Sequence, residues 1–156
     1  LEESDKGIIS VVQGSIGKKG MVLNCESRRT HNIFTEAGIE HDYLHMDGQE
    51  VYKFAVRQCP KCLLEALEKA DMTADDIDYF VLHQANVRII ESVAKRLKAP
   101  IEKFPMTLGY TGNMSAASVP VMLDSLVRDG GLKRGDKVAM SAFGAGLTYG
   151  AIVLEW

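Results

Sequence analysis

The sequence predicts an α/β layered fold built on a mixed sheet with at least one antiparallel edge. Two observations carry this: short β-rich apolar runs alternate with segments of helical periodicity, and the last two strand patterns are joined by a tight glycine turn. The chain has 156 residues, 46% hydrophobic and 25% charged, with a formal charge of −3, the proportions of one globular unit rather than a disordered or coiled-coil chain.

Taken in order, Gly7-Ile8-Ile9-Ser10-Val11-Val12 reads as a strand, Gly14 to Gly20 as a turn, and Met21-Val22-Leu23 as a return strand, a hairpin. From Asn24 to Asp47 the pattern is irregular and holds three of the four histidines, which suits a loop that lines a site or one that covers a surface. Val51, Phe54, Ala55, Cys62, Leu63, Ala66, Leu67 and Ala70 recur at helical spacing from about Gln49. Pro60 then requires either one kinked amphipathic helix or two short ones. Thr73 with Asp76 forms a capping pattern before the buried-strand run Asp78 to Leu82. Val87, Ile90, Ala94 and Leu97 mark the core stripe of the next helix, which Asn86 or Gln84 starts. Beyond a Pro-bounded connection, Leu108 to Asn113 is a glycine-punctuated loop. It leads into Ser115 to Leu123, a helix without a polar side that is expected to be packed from several directions. Lys137 to Phe143 and Thr148 to Leu154 form the terminal hairpin around Gly144-Ala145-Gly146.

Composition narrows the function. No stretch reaches the ~20 apolar residues of a membrane span, and the first residues lack the basic start and apolar core of a signal peptide, so a cytoplasmic location without membrane association is expected. The weak negative balance gives no basis for nucleic-acid binding. Three cysteines without a secretory signal are expected to be reduced thiols. Cys59-Pro60-Lys61-Cys62 has C-x-x-C spacing, but no second ligand pair accompanies it, so no metal site is expected and the cysteines read as core filler. The chain starts at Leu with no cap or turn signal, and reads as a piece of something longer.

Three loops lie where α/β sheets gather reactive groups: His83 after the strand run, Asn113 at the entrance to the apolar helix, and Gly144-Ala145-Gly146. An imidazole, a carboxamide and bare backbone N–H groups make an oxyanion-stabilising set. A histidine at a strand end and a glycine turn are also ordinary structural features, and spacing alone leaves both readings open.

The residues themselves go further. His83-Gln84-Ala85-Asn86, Gly112-Asn113-Met114-Ser115-Ala116-Ala117-Ser118-Val119-Pro120, Phe143-Gly144-Ala145-Gly146-Leu147-Thr148-Tyr149-Gly150 and the Met46 to Val56 segment closely resemble β-ketoacyl-acyl-carrier-protein synthase III. The resemblance runs from about Gly7 to Trp156 and covers the C-terminal half of such an enzyme. It implies a thiolase-like layered fold, with residues 1–156 as the C-terminal domain and the nucleophile-bearing N-terminal half absent. It also implies an acyltransferase reaction: an acyl group, acetyl in the first instance, passes from coenzyme A to a cysteine and condenses with malonyl on acyl carrier protein as carbon dioxide is lost, initiating fatty-acid synthesis.

By that resemblance His83 and Asn113 donate hydrogen bonds to the malonyl thioester oxygen, and the Ala145 N–H serves the acyl-cysteine oxyanion. The family often has Gly at this position. Met46, Gly48, Tyr52 and Phe143 line the passage for pantetheine and acyl chain, and Asn86 contacts the pantetheine arm. Lys53, Arg88, Lys95 and Arg96 face the carrier protein, although a solvated helix face explains Lys95 and Arg96 equally well. No cofactor is implied beyond the coenzyme A thioester substrate, and the complete enzyme is expected to be a homodimer. None of Cys25, Cys59 or Cys62 fits the nucleophile motif, so the isolated chain is expected to be inactive. A non-catalytic carrier-protein-binding module and a related polyketide- or quinolone-type condensing enzyme are the alternatives.

Overall fold

The computed structural model describes residues 6–25, 34 and 43–156. Strand β1 spans Gly7–Ser15, β2 Leu23–Asn24, β3 His45–Met46, β4 Tyr79–Leu82, β5 Lys137–Gly144 and β6 Thr148–Glu155. Helix α1 spans Gly48–Lys69, α2 Val87–Leu97, α3 Leu108–Thr111 and α4 Ser118–Arg128. Four strands form one mixed sheet in the order β1-β6-β5-β4, with β4 parallel to β5 and both other pairs antiparallel.

The side-chain alternation of each strand sorts the core into two layers. Phe80 and Leu82 of β4, Ala139 of β5 and Ala151 and Val153 of β6 pack with Leu63, Ala66, Leu67, Ile90 and Val93 of α1 and α2. The residues between them point the other way: Val81 and Val138 meet Met122 and Leu126 of α4. Helices therefore cover both faces, as expected for the layered fold.

The early hairpin does not form. β1 pairs along its length with β6, from Gly7 opposite Glu155 to Ser15 opposite Thr148, while Leu23 and Asn24 pair with Met46 and His45. The reason is burial: β1 turns Ser10 and Val12 onto α1, with the Ser10 hydroxyl donating to the Ala66 carbonyl at 2.6 Å. The short return run has no comparable core to cover. Most of the irregular 24–47 segment, including His31 and His41, lies outside the described residues.

α1 is one continuous helix through Pro60. Pro60 has no N–H to give Val56, and its burial among Cys59, Cys62 and Leu63 compensates for the missing backbone bond. In α2 the stripe is Ile89, Ile90, Val93, Ala94 and Leu97; Val87, in the first turn, is exposed. Thr73 does cap its turn, its N–H and hydroxyl both donating to Asp76. The apolar segment after Asn113 begins as a short 3-10 turn, Ser115–Ala117, before α4. Only Ser118, Met122 and Leu126 of α4 are buried, and Ala116, Ala117, Pro120 and Val127 are exposed. Packing from several directions is thus not met by the described residues: one layer is present, and the opposite side of the helix is open.

Candidate active site

Strand ends and helix starts converge on a cleft of about 780 Å³. His83 follows β4, Asn113 precedes the 3-10 turn, and Ala145 stands in the β5–β6 turn; all three line it. So do Met46, Gly48, Tyr52, Asn86 and Phe143, so every catalytic and substrate-lining residue named from sequence opens on one cavity.

His83 is held from two sides. Its Nδ1 lies 2.6 Å from the Ser118 hydroxyl, and its ring meets Phe143 edge to face at 5.3 Å. Burial pushes the imidazole below its ordinary value of 6.5, so His83 is neutral at physiological pH. With Nδ1 engaged, Nε2 is the nitrogen left for the cleft. Phe143 leans in turn on Phe54, and Phe54 on Tyr149, an aromatic wall with ring spacings of 6.3 and 6.1 Å.

Asn113 is oriented by its own turn. The Ser115 N–H donates to Asn113 Oδ1 at 2.9 Å, which ties up the acceptor end and leaves the Nδ2 hydrogens as the free, donating end. Gly112, at φ 66°, makes the sharp entry that a side chain would resist. In the β5–β6 turn the left-handed residue is Gly146, at φ 131°, and Ala145 has no positive φ. Alanine is therefore accommodated at 145 without strain. The Thr148 hydroxyl bonds the Ala145 carbonyl at 3.0 Å, and the Ala145 N–H finds no acceptor among the described residues.

Asn86 serves the fold as well as the cleft: its side chain accepts from the Arg88 N–H and caps α2. Gln84 does more than precede a helix. It is wholly buried and bonds the Leu82 and Pro105 carbonyls and the Thr107 N–H, which clamps the His83 strand end to the segment leading toward Asn113. Ser118 has no role assigned from sequence, because a small polar residue at a helix start reads as a cap.

The basic residues divide. Lys53, one residue from Tyr52, bridges to Glu50 at 2.9 Å, and Glu50 also takes Lys19 at 3.0 Å. These partners pull the Glu50 carboxyl down to about 2. Arg88 is exposed beside the cleft residues Asn86 and Ile89. Lys95 and Arg96 are exposed on the last turn of α2, about 10 Å along the helix from Arg88. Cys59 and Cys62 lie in the core far from nucleophilic character, burial pushing the Cys59 thiol up to about 12 and Cys62 in the same direction. Among the described residues no cluster of three His, Cys, Asp or Glu side chains is placed to hold a metal, and no helix is long and apolar enough to cross a membrane.

Residues 67–156 match the family described as 3-Oxoacyl-[acyl-carrier-protein (ACP)] synthase III C terminal. The chain belongs to the β-ketoacyl-acyl-carrier-protein synthase III family. It is 46% identical over 162 residues to the Beta-ketoacyl-[acyl-carrier-protein] synthase III of Synechococcus sp. (strain WH7803), an alignment covering 100% of this chain and 48% of that protein. The crystal structure of the Thermus thermophilus synthase III superposes with a TM-score of 0.86 at 40% identity, covering 99% of this chain and 47% of that one. The priming β-ketosynthase of the R1128 polyketide pathway superposes at 0.84 and 38% identity, covering 96% and 45%. This chain thus has the thiolase-like fold of the synthase III family and spans about half the length of the curated relatives it matches.

Proposed function

We propose that this chain is the C-terminal half of a condensing enzyme that joins an acyl group from coenzyme A, acetyl foremost, to malonyl on acyl carrier protein and so starts fatty-acid synthesis. The observation that carries this reading is the shared cleft, into which His83, Asn113 and the Ala145 turn all open.

In this reading the malonyl thioester carbonyl sits between His83 Nε2 and Asn113 Nδ2. As the bond to the carboxylate breaks and carbon dioxide leaves, the electron pair moves to the α-carbon and delocalises as an enolate onto the thioester oxygen. Two neutral donors receive that charge, each contributing on the order of 3 kcal/mol in a site whose walls are mostly apolar. The enolate carbon then attacks the acyl thioester on a cysteine of the N-terminal half. The tetrahedral oxygen takes the Ala145 N–H, and the thiolate leaves as the β-ketoacyl product forms. Lys53 and Arg88 flank the mouth for the acidic carrier protein; the open side of α4 is where the N-terminal half packs.

Fusing the chain to the half of the Synechococcus relative that it does not align with, and measuring carbon dioxide release and ketoacyl product, tests the assignment. Product formation that falls about 10²–10³-fold with His83→Ala is expected; full activity of that variant would remove His83 from the mechanism. The likeness to a polyketide-priming enzyme supports one second reading, a primer other than acetyl, and a panel of acyl-coenzyme A primers in the same assay separates the two.

A further inference from the structure

Ser118 is fully buried at the start of α4, and its hydroxyl stands at the centre of three contacts. It lies 2.6 Å from His83 Nδ1, 2.9 Å from the Ser115 carbonyl and 3.3 Å from the Gln84 N–H. The N–H can only donate to the hydroxyl oxygen, so the single hydroxyl proton has two competing acceptors, Ser115 O and His83 Nδ1. The Ser115 carbonyl already accepts the backbone N–H of Ser118. The imidazole nitrogen has no such second donor among the described residues and makes the shorter contact.

We propose that Ser118 is a positioning residue whose hydroxyl donates to Nδ1 of His83, holding the imidazole in the Nε2–H tautomer with its hydrogen toward the cleft. The inference deepens the function proposed above and rests on its donor role for His83. The opposite tautomer would present a lone pair to the cleft and repel the thioester oxygen that His83 is there to stabilise. Neutrality of the half-buried imidazole makes the choice of nitrogen decisive, since an imidazolium would donate from both. With no exposed surface at Ser118, bulk water does not substitute for its hydroxyl. The residue also explains a strained backbone: Ser115, at φ 52°, is held by Asn113 through its N–H and by Ser118 through its carbonyl, so both donors are built on one local frame.

Heteronuclear NMR of histidine-labelled fusion protein, with the His83 signal assigned by comparison with His83→Gln, reads the tautomer directly. The expected wild-type spectrum has an unprotonated Nδ1 and a protonated Nε2. Ser118→Ala should move His83 toward the Nδ1–H form or a mixture, whereas Ser118→Thr should keep the wild-type pattern. In condensation assays Ser118→Ala should lower kcat on the order of tenfold with KM within about twofold, and Ser118→Thr should recover most of the loss. A wild-type proton on Nδ1, or a tautomer indifferent to Ser118→Ala, overturns the inference. The wild-type spectrum decides even where the alanine variant fails to fold. If the tautomer behaves as stated while neither Ser118→Ala nor His83→Ala changes kcat, the hold of Ser118 on the ring stands and the donor role of His83 falls.

Discussion

Against α1 and α2 the sheet buries Phe80, Leu63, Ala66, Val93 and Val153 completely, and the helices turn charged faces outward. Against α4 it buries Val81 and Val138 as fully, yet Ala116 and Ala117 of the preceding 3-10 turn and Pro120 and Val127 of α4 stay open. The first face is a finished core; the second is finished only where it touches the sheet. The cleft lies at the unfinished end, where the loops that enter α4 and leave β4 and β5 meet the first turns of α1 and α2. The deep core of the first face and the cleft are thus different parts of the molecule, and substitutions in the two should separate.

The largest difference is expected in folding. Phe80 is buried and stacks on Phe104 with ring centroids 4.7 Å apart, so Phe80→Ala should lower unfolding free energy by about 3–5 kcal/mol in urea titrations. Val127→Ser on the open side of α4 should change it by no more than about 0.5 kcal/mol in the chain alone. Equal costs at the two positions would mean that α4 is as enclosed as α1. The same contrast predicts strong hydrophobic-dye binding by the isolated chain and its loss in the fusion described above.

Next in size is catalysis. His83→Ala and Asn113→Ala should each lower kcat of the fusion about 10²–10³-fold while leaving the urea midpoint near the parent value, the reverse of Phe80→Ala. The pH dependence has a fixed sign. Burial lowers the folded-state value of His83, so the neutral form persists to below 6.5, and the acid limb of kcat should fall below that pH. For the same reason the unfolded chain takes up the proton first. The His83 contribution to stability is therefore present above 6.5 and lost as pH falls through the lower folded value.

The elements legible in sequence are those whose pattern is local. The core stripe of α1, the run of β4, the Thr73 cap and the terminal hairpin each declare themselves within one continuous segment. The partner of β1 does not: Gly7 pairs with Glu155, and no local signal distinguishes that strand from the nearby Leu23 run. The continuity of α1 through Pro60 rests on surrounding core, which periodicity does not express. At the site, His83, Asn113 and Ala145 were identified by motif because their types and neighbours are distinctive. Ser118 and Gln84 were missed because their roles depend on a rotamer and on a buried amide bridging segments more than twenty residues apart.

The basic residues give the smallest and most graded effects. Arg88 stands at the cleft end of α2, next to Asn86, and in the synthase reading it meets the carrier protein where the pantetheine arm enters. Arg88→Glu should raise KM for malonyl carrier protein about tenfold and make it less sensitive to salt, with kcat unchanged. Lys95 and Arg96, about 10 Å further along the helix, lie about one Debye length away at 0.1 M salt. Their reversal to Glu should therefore shift KM by about twofold at low salt and by nothing measurable at high salt. Lys53 belongs between the two, since Glu50 already neutralises part of its field, and Glu50→Gln should strengthen docking by releasing it. An equal loss from Arg88→Glu and Lys95→Glu would place the carrier protein along the whole of α2 rather than at the mouth of the cleft. The charged face of the finished layer would then be a binding surface, and the separation between deep core and cleft would hold for folding and chemistry but not for recognition.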